Sequence, residues 1–373
     1  MHKPVKIGID IRDLRKAFSG TQTYLQEIVA QYKQLPNGQF VFYYIDDTLP
    51  VYTGKNKLKK IAEHLLFFTW KQITLPLKAY RRGCDWLLCT DYFVPYVHLG
   101  FKTVVVFHDA FFWEYPQHYN PLWLGIFKTI ALPAARRATF IITPSHYSAA
   151  RVQHFTHFPP QKIKVIYEAP KTLTATPQET GNPALAQLKG KKYLLHVGTM
   201  NKHKNLVQLI TVFHSIISKD HPNLYLVLAG KPGNSAFSND YPAIMQTIAS
   251  LQLSDKVILT GYLSNTDMHQ IYSNAAVYVF PSYNEGFGIP VLEAFQHRIP
   301  VVVAKNTCLT EIGGNAVESF NPFDATDMEN IIVQVLNDTT LQQTLVAAGE
   351  KRLAAFSWEK TTRQLLQVLA GAD

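Results

Sequence analysis

The sequence predicts an α/β protein made of two doubly wound domains, each a parallel sheet flanked by helices. Three observations carry this reading. Short apolar runs rich in β-branched residues alternate with longer segments of helical periodicity, the pattern of parallel strands joined by crossover helices. The alternation stops across residues 170–183, a stretch rich in Pro, Thr, Gly and Ala, and then restarts. The length, 373 residues, suits two cores better than one.

In chain order, residues 5–11 form a first strand that carries Asp10 and is followed by Arg12. A loop with Ser19 and Gly20 leads into a helix over about 21–35, and residues 40–45 make the second strand. Residues 55–82 supply one or two helices, broken near Pro76 because proline lacks the amide a helix needs. Residues 85–88 and 102–107 are short strands. Helices cover about 122–137 and 145–155 around a strand at 140–143, with Ser145 as the N-cap of the second helix. Past the linker, strands are expected at 193–197, 224–228, 256–259, 277–280 and 301–303. Pro290 sits where a helix begins, and Pro300 confines that helix to about Arg298. Residues 356–369 again have helical periodicity. The expected boundaries are 1–172 for a first domain, 173–185 for a linker, 186–355 for a second domain and 356–373 for a closing helix.

Composition excludes several classes. Hydrophobic content of 47% and charged content of 17% are those of a soluble globular chain. Cys84, Cys89 and Cys308 are too few and too scattered for a disulfide framework or a metal cluster, which points to a reducing, cytoplasmic compartment. The apolar run near the N-terminus is short and interrupted by Asp10, unlike a signal peptide, and no run approaches the length of a membrane span. The net charge of +9 is unevenly placed. Between Lys55 and Arg82, eight basic residues stand against one acidic residue, Glu63. With Leu65, Leu66, Phe67, Phe68 and Trp70 among them, the stretch reads either as a solvated helix face with an ordinary core side or as a surface for anionic lipid. No nucleic-acid recognition motif accompanies the charge, so no nucleic-acid partner is expected.

Chemistry concentrates in residues 281–295, PSYNEGFGIPVLEAF. An apolar strand, a loop with Gly286 and Gly288, and a helix start at Pro290 make an anion site from free amides and the helix dipole. Two carboxylates, Glu285 and Glu293, flank it. Carboxylates beside a phosphate make sense when the ligand also brings hydroxyl donors. Phosphate plus polyol suggests a nucleotide sugar, although glycines before a helix are also plain turn chemistry.

The segment from Glu285 to Glu293, EGFGIPVLE, closely resembles the E-x7-E signature of retaining glycosyltransferases of family 4, which have the GT-B fold. The resemblance implies two Rossmann-like domains facing a cleft, with a last helix crossing back to the first domain. It implies Glu285 on sugar hydroxyls, Glu293 on ribose, and Gly286, Phe287, Gly288 and Ile289 around the donor. The loop 198–205 resembles the family's phosphate loop, placing Thr199 and Lys204 at the diphosphate. His203 falls where an arginine is common, a departure from the pattern. The loop 261–265 resembles the base-holding loop, with Tyr262 and Leu263 on the base. Neither Ser264 nor Asn265 offers the carboxylate a guanine reader would use, so the base stays open.

In the first domain the segment around His108 and Asp109 resembles the family's HD motif, in which the histidine faces the donor sugar. Read from the residues alone, it is sooner a packed, hydrogen-bonded histidine. The loop holding Gly20 resembles the family's first glycine-rich loop, with Thr21 and Gln22 in place of the usual glycine and basic residue. Asp10 lies nearby on the acceptor side, and Tyr92 and Tyr96 line either the acceptor or the core. The chain has no Asp-x-Asp triplet, so the expectation is a metal-independent enzyme with no cofactor, its donor a substrate.

The activity expected is retaining transfer of a hexose from a nucleoside-diphosphate sugar to an acceptor hydroxyl. The acceptor would be a glycan or lipid-linked glycan in surface polysaccharide or glycolipid assembly, at the inner face of the membrane. A nucleotide-sugar epimerase of the same fold and a non-catalytic nucleotide-sugar-binding partner are the alternatives. A nicotinamide oxidoreductase fits least, because the turn after the first strand lacks G-x-G-x-x-G.

Overall fold

The computed structural model describes residues 3–15, 20–36, 38–49, 51, 52, 54, 56–172, 181–233 and 235–371. Ser19, Lys55 and residues 173–180 of the expected linker lie outside the described residues, as do the side chains of Lys57 and Lys60. The chain divides into two compact units. The first comprises Met1–Glu114, Pro121–Ala169 and Ser357–Asp373; the second comprises Tyr115–Asn120 and Pro170–Phe356.

Each unit is built on a six-stranded parallel sheet. In the first, β1 (Val5–Asp10), β2 (Phe40–Ile45), β3 (Trp86–Cys89), β4 (Lys102–Val106), β5 (Phe140–Thr143) and β6 (Ile163–Val165) lie in the order β2-β1-β3-β4-β5-β6. In the second, β7 (Tyr193–Val197), β8 (Tyr225–Ala229), β9 (Val257–Gly261), β10 (Val277–Phe280), β11 (Val301–Ala304) and β12 (Val317–Phe320) lie in the order β12-β11-β10-β7-β8-β9. All pairings are parallel, for example Leu194 with Leu226 on one side and Val277 on the other. The central strands are buried on both faces, which is why they read as continuous apolar runs. β6 and β12 escape the sequence reading because they are short edge strands, half-exposed over most of their length, and carry Lys164 and Glu318.

The sheet order fixes where ligands go. In each sheet the winding reverses once, between β1 and β3 in the first unit and between β7 and β10 in the second. Loops leaving the carboxyl ends of those strands diverge and open a crevice, the usual ligand position in open α/β sheets.

Pro76 does not break its helix, contrary to the sequence expectation. The helix Lys57–Thr69 passes through a wide turn, Trp70–Thr74, straight into Leu75–Arg81, with the Leu75 amide donating to the Trp70 carbonyl. The helical stretch before Arg137 does the same through Phe127–Ala131, where the Leu132 amide donates to Phe127. Pro76 and Pro133 each follow such a turn. Proline crowds the carbonyl four residues back. Here those carbonyls, on Gln72 and Thr129, lie inside the widened turns, which make room for the ring.

Lys71, in the wide turn, points inward and is buried, its Nζ 2.5 Å from Asp10 Oδ2 and also paired with Asp91. It is therefore absent from any surface the stretch presents. Burial alone would lower the Lys71 pKa, but Asp10 and Asp91 push it well above the ordinary range.

The helix Trp358–Ala370 belongs to the first unit, as the crossing-back helix should. Ser357 caps it by accepting from the Lys360 amide. Its buried face includes Leu365, Leu366 and Leu369 and packs on the helix Gly20–Gln34, where Trp358 meets the edge of Tyr24 at 5.9 Å. The Thr361 hydroxyl donates to the Tyr167 carbonyl at 2.7 Å.

Leu365 is fully buried in this seam. Leu365→Ala should cost about 2–5 kcal/mol of first-unit stability, read from denaturant unfolding. An unchanged midpoint would show that the helix is no part of that core.

Candidate functional site

The second unit gathers its chemistry at the β7–β10 reversal. After β7, Gly198 and Met200 are stitched to the neighbouring loop, the Gly198 amide donating to Ala229 and the Met200 amide to Lys231. The approach is close: a Cβ on Gly230, whose φ is +152°, would lie 1.9 Å from the Gly198 carbonyl oxygen. A short turn, Lys202–Lys204, then ends at Asn205 in the left-handed conformation and delivers Lys204 over the sheet edge. Lys204 Nζ donates to Glu285 Oε1 at 2.6 Å and lies 4.9 Å from the Phe280 ring. Both side chains are about 11% exposed.

Glu285 comes from the loop after β10. That loop is pinned by the Tyr283 amide on the His203 carbonyl, by Asn306 Nδ2 on the Tyr283 carbonyl and by Cys308 Sγ on the Glu285 carbonyl. Gly288 closes it with φ +97°, where a Cβ would also meet Leu309 at 2.5 Å, so only glycine fits. The helix Ile289–Gln296 follows, with proline in its first turn. Phe287 is buried against Phe356, while Gly286 and Ile289 are half-buried.

Glu293, on the next turn of that helix, is buried and accepts from the Tyr272 hydroxyl at 2.8 Å. Burial raises its pKa, offset in part by Tyr272 and Lys171. Thr199 is exposed and accepts from Asn201 Nδ2. Leu263 is buried, whereas Tyr262 is 46% exposed with Lys231 Nζ 4.5 Å from its ring.

Two histidines qualify the electrostatics. His203 is held well below its ordinary pKa by burial and by Lys204, so it adds no fixed charge at neutral pH. His196, inside β7, reads in sequence as core and lies beside Gly198, at the start of the loop 198–205. Its Nδ1 sits 3.0 Å from the Val279 carbonyl, which can only accept, so Nδ1 carries the proton. Burial and Lys204 depress its pKa to about 3. Its Nε2 is therefore a bare acceptor, buried and unpaired among the described residues, and both it and Lys204 Nζ lie within 4 Å of the point a Gly198 Cβ would occupy.

In the first unit, His108 follows β4. Its Nδ1 lies 3.1 Å from Glu168 Oε1 and its Nε2 lies 2.9 Å from the Thr90 carbonyl. The ring packs edge-on against Tyr24 and Tyr92. Burial would lower its pKa, but the hydrogen bond and charge of Glu168 raise it above the ordinary value. Glu168 carries no sequence signal; it stands just past β6, itself too short to be read. Asp109 accepts from the Phe111 amide and so starts the short helix Phe111–Glu114.

Asp10 is buried, taking hydrogen bonds from the Arg12 amide, Trp70 Nε1 and Lys71 Nζ. Gly20 is the exposed first residue of its helix, with open space where a Cβ would point. Tyr92 joins an aromatic cluster with Phe107 and Phe112, while Tyr96 is exposed under Arg137.

The structure thus brings Lys204 and Glu285 into direct contact, holds Glu293 apart on Tyr272 in the second turn of the helix, and sets Asp10 in a buried ion-pair network. The family described as Glycosyltransferase Family 4 matches residues 20–169, and the one described as Glycosyl transferases group 1 matches residues 178–352. The O-antigen chain mannosyltransferase B of Escherichia coli is 26% identical, with 86% of each chain covered. The serotype-specific mannosyltransferase WbdA of the same organism is also 26% identical over 74% of this chain, but the match spans only 34% of that longer protein. Among solved structures, a sucrose-phosphate synthase from Thermosynechococcus elongatus superposes with a TM-score of 0.74 at 20% identity, covering 98% of both chains. Two matched families, one on each unit, and two Rossmann-like sheets place the chain among the family 4 glycosyltransferases of GT-B fold.

Proposed function

We propose that this glycosyltransferase moves a hexose, with retention, from a nucleoside-diphosphate sugar to an acceptor hydroxyl in surface polysaccharide or glycolipid assembly. The observation that carries the proposal is the Lys204–Glu285 pair at the β7–β10 reversal, beside the N-terminus of Ile289–Gln296. A cation beside the positive end of a helix suits a diphosphate, and an adjacent carboxylate suits sugar hydroxyls. Charge develops on the departing nucleoside diphosphate, so preorganised donors there act most strongly. Lys204 and the helix N-terminus would offset that negative charge, in a chain without an Asp-x-Asp triplet, which supports a metal-independent reaction. Retention rests on the E-x7-E resemblance. The mannosyltransferase relatives favour mannose as the sugar and a growing glycan as the acceptor.

Incubating the protein with UDP, GDP and ADP sugars, with and without lipid-linked glycan acceptors, tests this. Sugar should move only when acceptor is present. Conversion of the sugar without acceptor would indicate an epimerase, and binding without turnover a non-catalytic partner. Lys204→Ala should lower turnover by about 10²–10³; near-wild-type rates would remove the phosphate role.

Glu293 yields a second expectation. Its carboxyl is less willing to ionise folded than unfolded, so the stability it contributes is present at low pH and is lost as pH rises through the raised pKa. Glu293→Gln should therefore melt at the same or higher temperature at pH 8 while weakening nucleotide binding. A lower melting point together with unchanged binding would contradict the ribose role.

We place the enzyme in the cytoplasm, on the inner face of the membrane. Among the described residues no helix is long and apolar enough to cross a membrane. The stretch 55–82 exposes Leu58, Ile61 and Leu65, then Ile73, Leu77 and Tyr80, each set at helical spacing, with Lys59, Arg81 and Arg82 also exposed. Basic and apolar groups on one helical surface favour anionic lipid. Co-sedimentation with vesicles containing anionic headgroups at low salt should retain the protein and lose Leu65→Glu; equal recovery of both would refute the contact.

A further inference from the structure

We propose that Glu168 is a positioning residue that keeps His108 doubly protonated, so that His108 serves transfer as a fixed cation and never as the base that collects the acceptor's proton. Its place in transfer rests on the reading of His108 at the donor sugar; its protonation state does not.

Two oxygens flank the His108 ring nitrogens. Nδ1 faces the Glu168 carboxylate and Nε2 faces the Thr90 carbonyl, and neither oxygen has a proton to give. A neutral imidazole has one N–H and one lone pair, so one of these contacts would set lone pair against lone pair. The imidazolium donates to both. Among the described residues, the charged side chains acting most strongly on the ring are Glu168, from the segment after β6, and Asp109, on its own segment; both are acidic. The other faces are covered by Tyr24 from the helix Gly20–Gln34 and by Tyr92 after β3, with the Ser148 hydroxyl on the His108 carbonyl. These neighbours supply no competing cation, and burial at 13% side-chain exposure keeps water from screening the pair.

Glu168 is itself held in place. The preceding carbonyl, of Tyr167, accepts from Thr361, and Trp358 from the same helix braces Tyr24. A base must carry a free lone pair at working pH. Here both ring nitrogens are committed as donors.

The test uses the full chain with 15N-labelled histidine. At pH 7 both His108 nitrogens should carry protons, and deprotonation should begin only above the ordinary histidine range. Glu168→Gln, which keeps the shape and an acceptor, should lower that transition by about 1–2 pH units. A melting curve checks that the variant is folded. With the donor found by the sugar screen, the wild-type rate should fall above the His108 transition. The fall should come at correspondingly lower pH in Glu168→Gln and return toward wild type in Glu168→Asp. A bare ring nitrogen at pH 7, a transition unmoved in Glu168→Gln, or a rate that rises as His108 deprotonates would each overturn the proposal. A ring transition that moves without moving the rate profile would overturn the role in transfer. The nitrogen titration reads the ring whether or not any donor is turned over, so the proposal and the donor reading fail separately.

Discussion

Lys204 and Glu285 meet at 2.6 Å where the second sheet reverses its winding, although 81 residues separate them in sequence. Burying two charges costs several kcal/mol per ion, and mutual attraction in a low-dielectric setting roughly recovers it. The contact therefore adds little to stability. What it provides is a cation and an anion held side by side on two loops that would otherwise diverge. Everything around it serves that placement: Gly230 lets the loop after β8 approach, Gly288 turns the chain into its helix, and the Tyr283 amide ties one loop to the other.

The first unit meets the same constraint differently. Its reversal point is flanked by Asp10, at the end of β1, and by Asp91, just past β3, with buried Lys71 bridging both. That lysine reaches inward because a widened turn accommodates Pro76 one helical turn later. A residue type chosen for backbone reasons thus decides which lysine of a basic stretch is interior. The same network fastens the helix Lys57–Thr69 through Arg12, which pairs with Asp47 and Glu63. The exposed apolar residues of that helix consequently stand on a fixed base.

Much of this was legible from the residues. The apolar runs at 140–143, 193–197 and 277–280 fall on strands with the same limits, because strands buried on both faces leave an unbroken hydrophobic signature, and the run at 40–45 does so as well although β2 is a half-exposed edge strand. Ser145 caps its helix as its side chain predicts. The glycine loop and Pro290 mark a helix start through local backbone chemistry alone. What was not legible depends on distant partners. β6 and β12 are short edge strands that pair on one side and are half-exposed over most of their length, which leaves only a weak apolar signature. Glu168 is unremarkable until β6 sets it beside a histidine 60 residues earlier. His196 reads as core because it is core, and only the sheet order reveals what lies above it. The basic stretch could be counted but not apportioned, since direction of side chains through a widened turn has no signature in composition.

The seam between Thr361 and Tyr167 joins residues 194 apart, with all of the second unit except Tyr115–Asn120 between them. During synthesis, at about 5–20 residues per second, an N-terminal domain ordinarily folds as soon as it emerges. This one cannot finish on that schedule. Its sheet is complete on the ribosome while the groove along Gly20–Gln34 still waits for Trp358 and Leu365, tens of seconds of elongation later. The nascent first half must therefore persist with an open apolar seam until the second half has been made, and the bracing around His108 is among the last parts of the molecule to form.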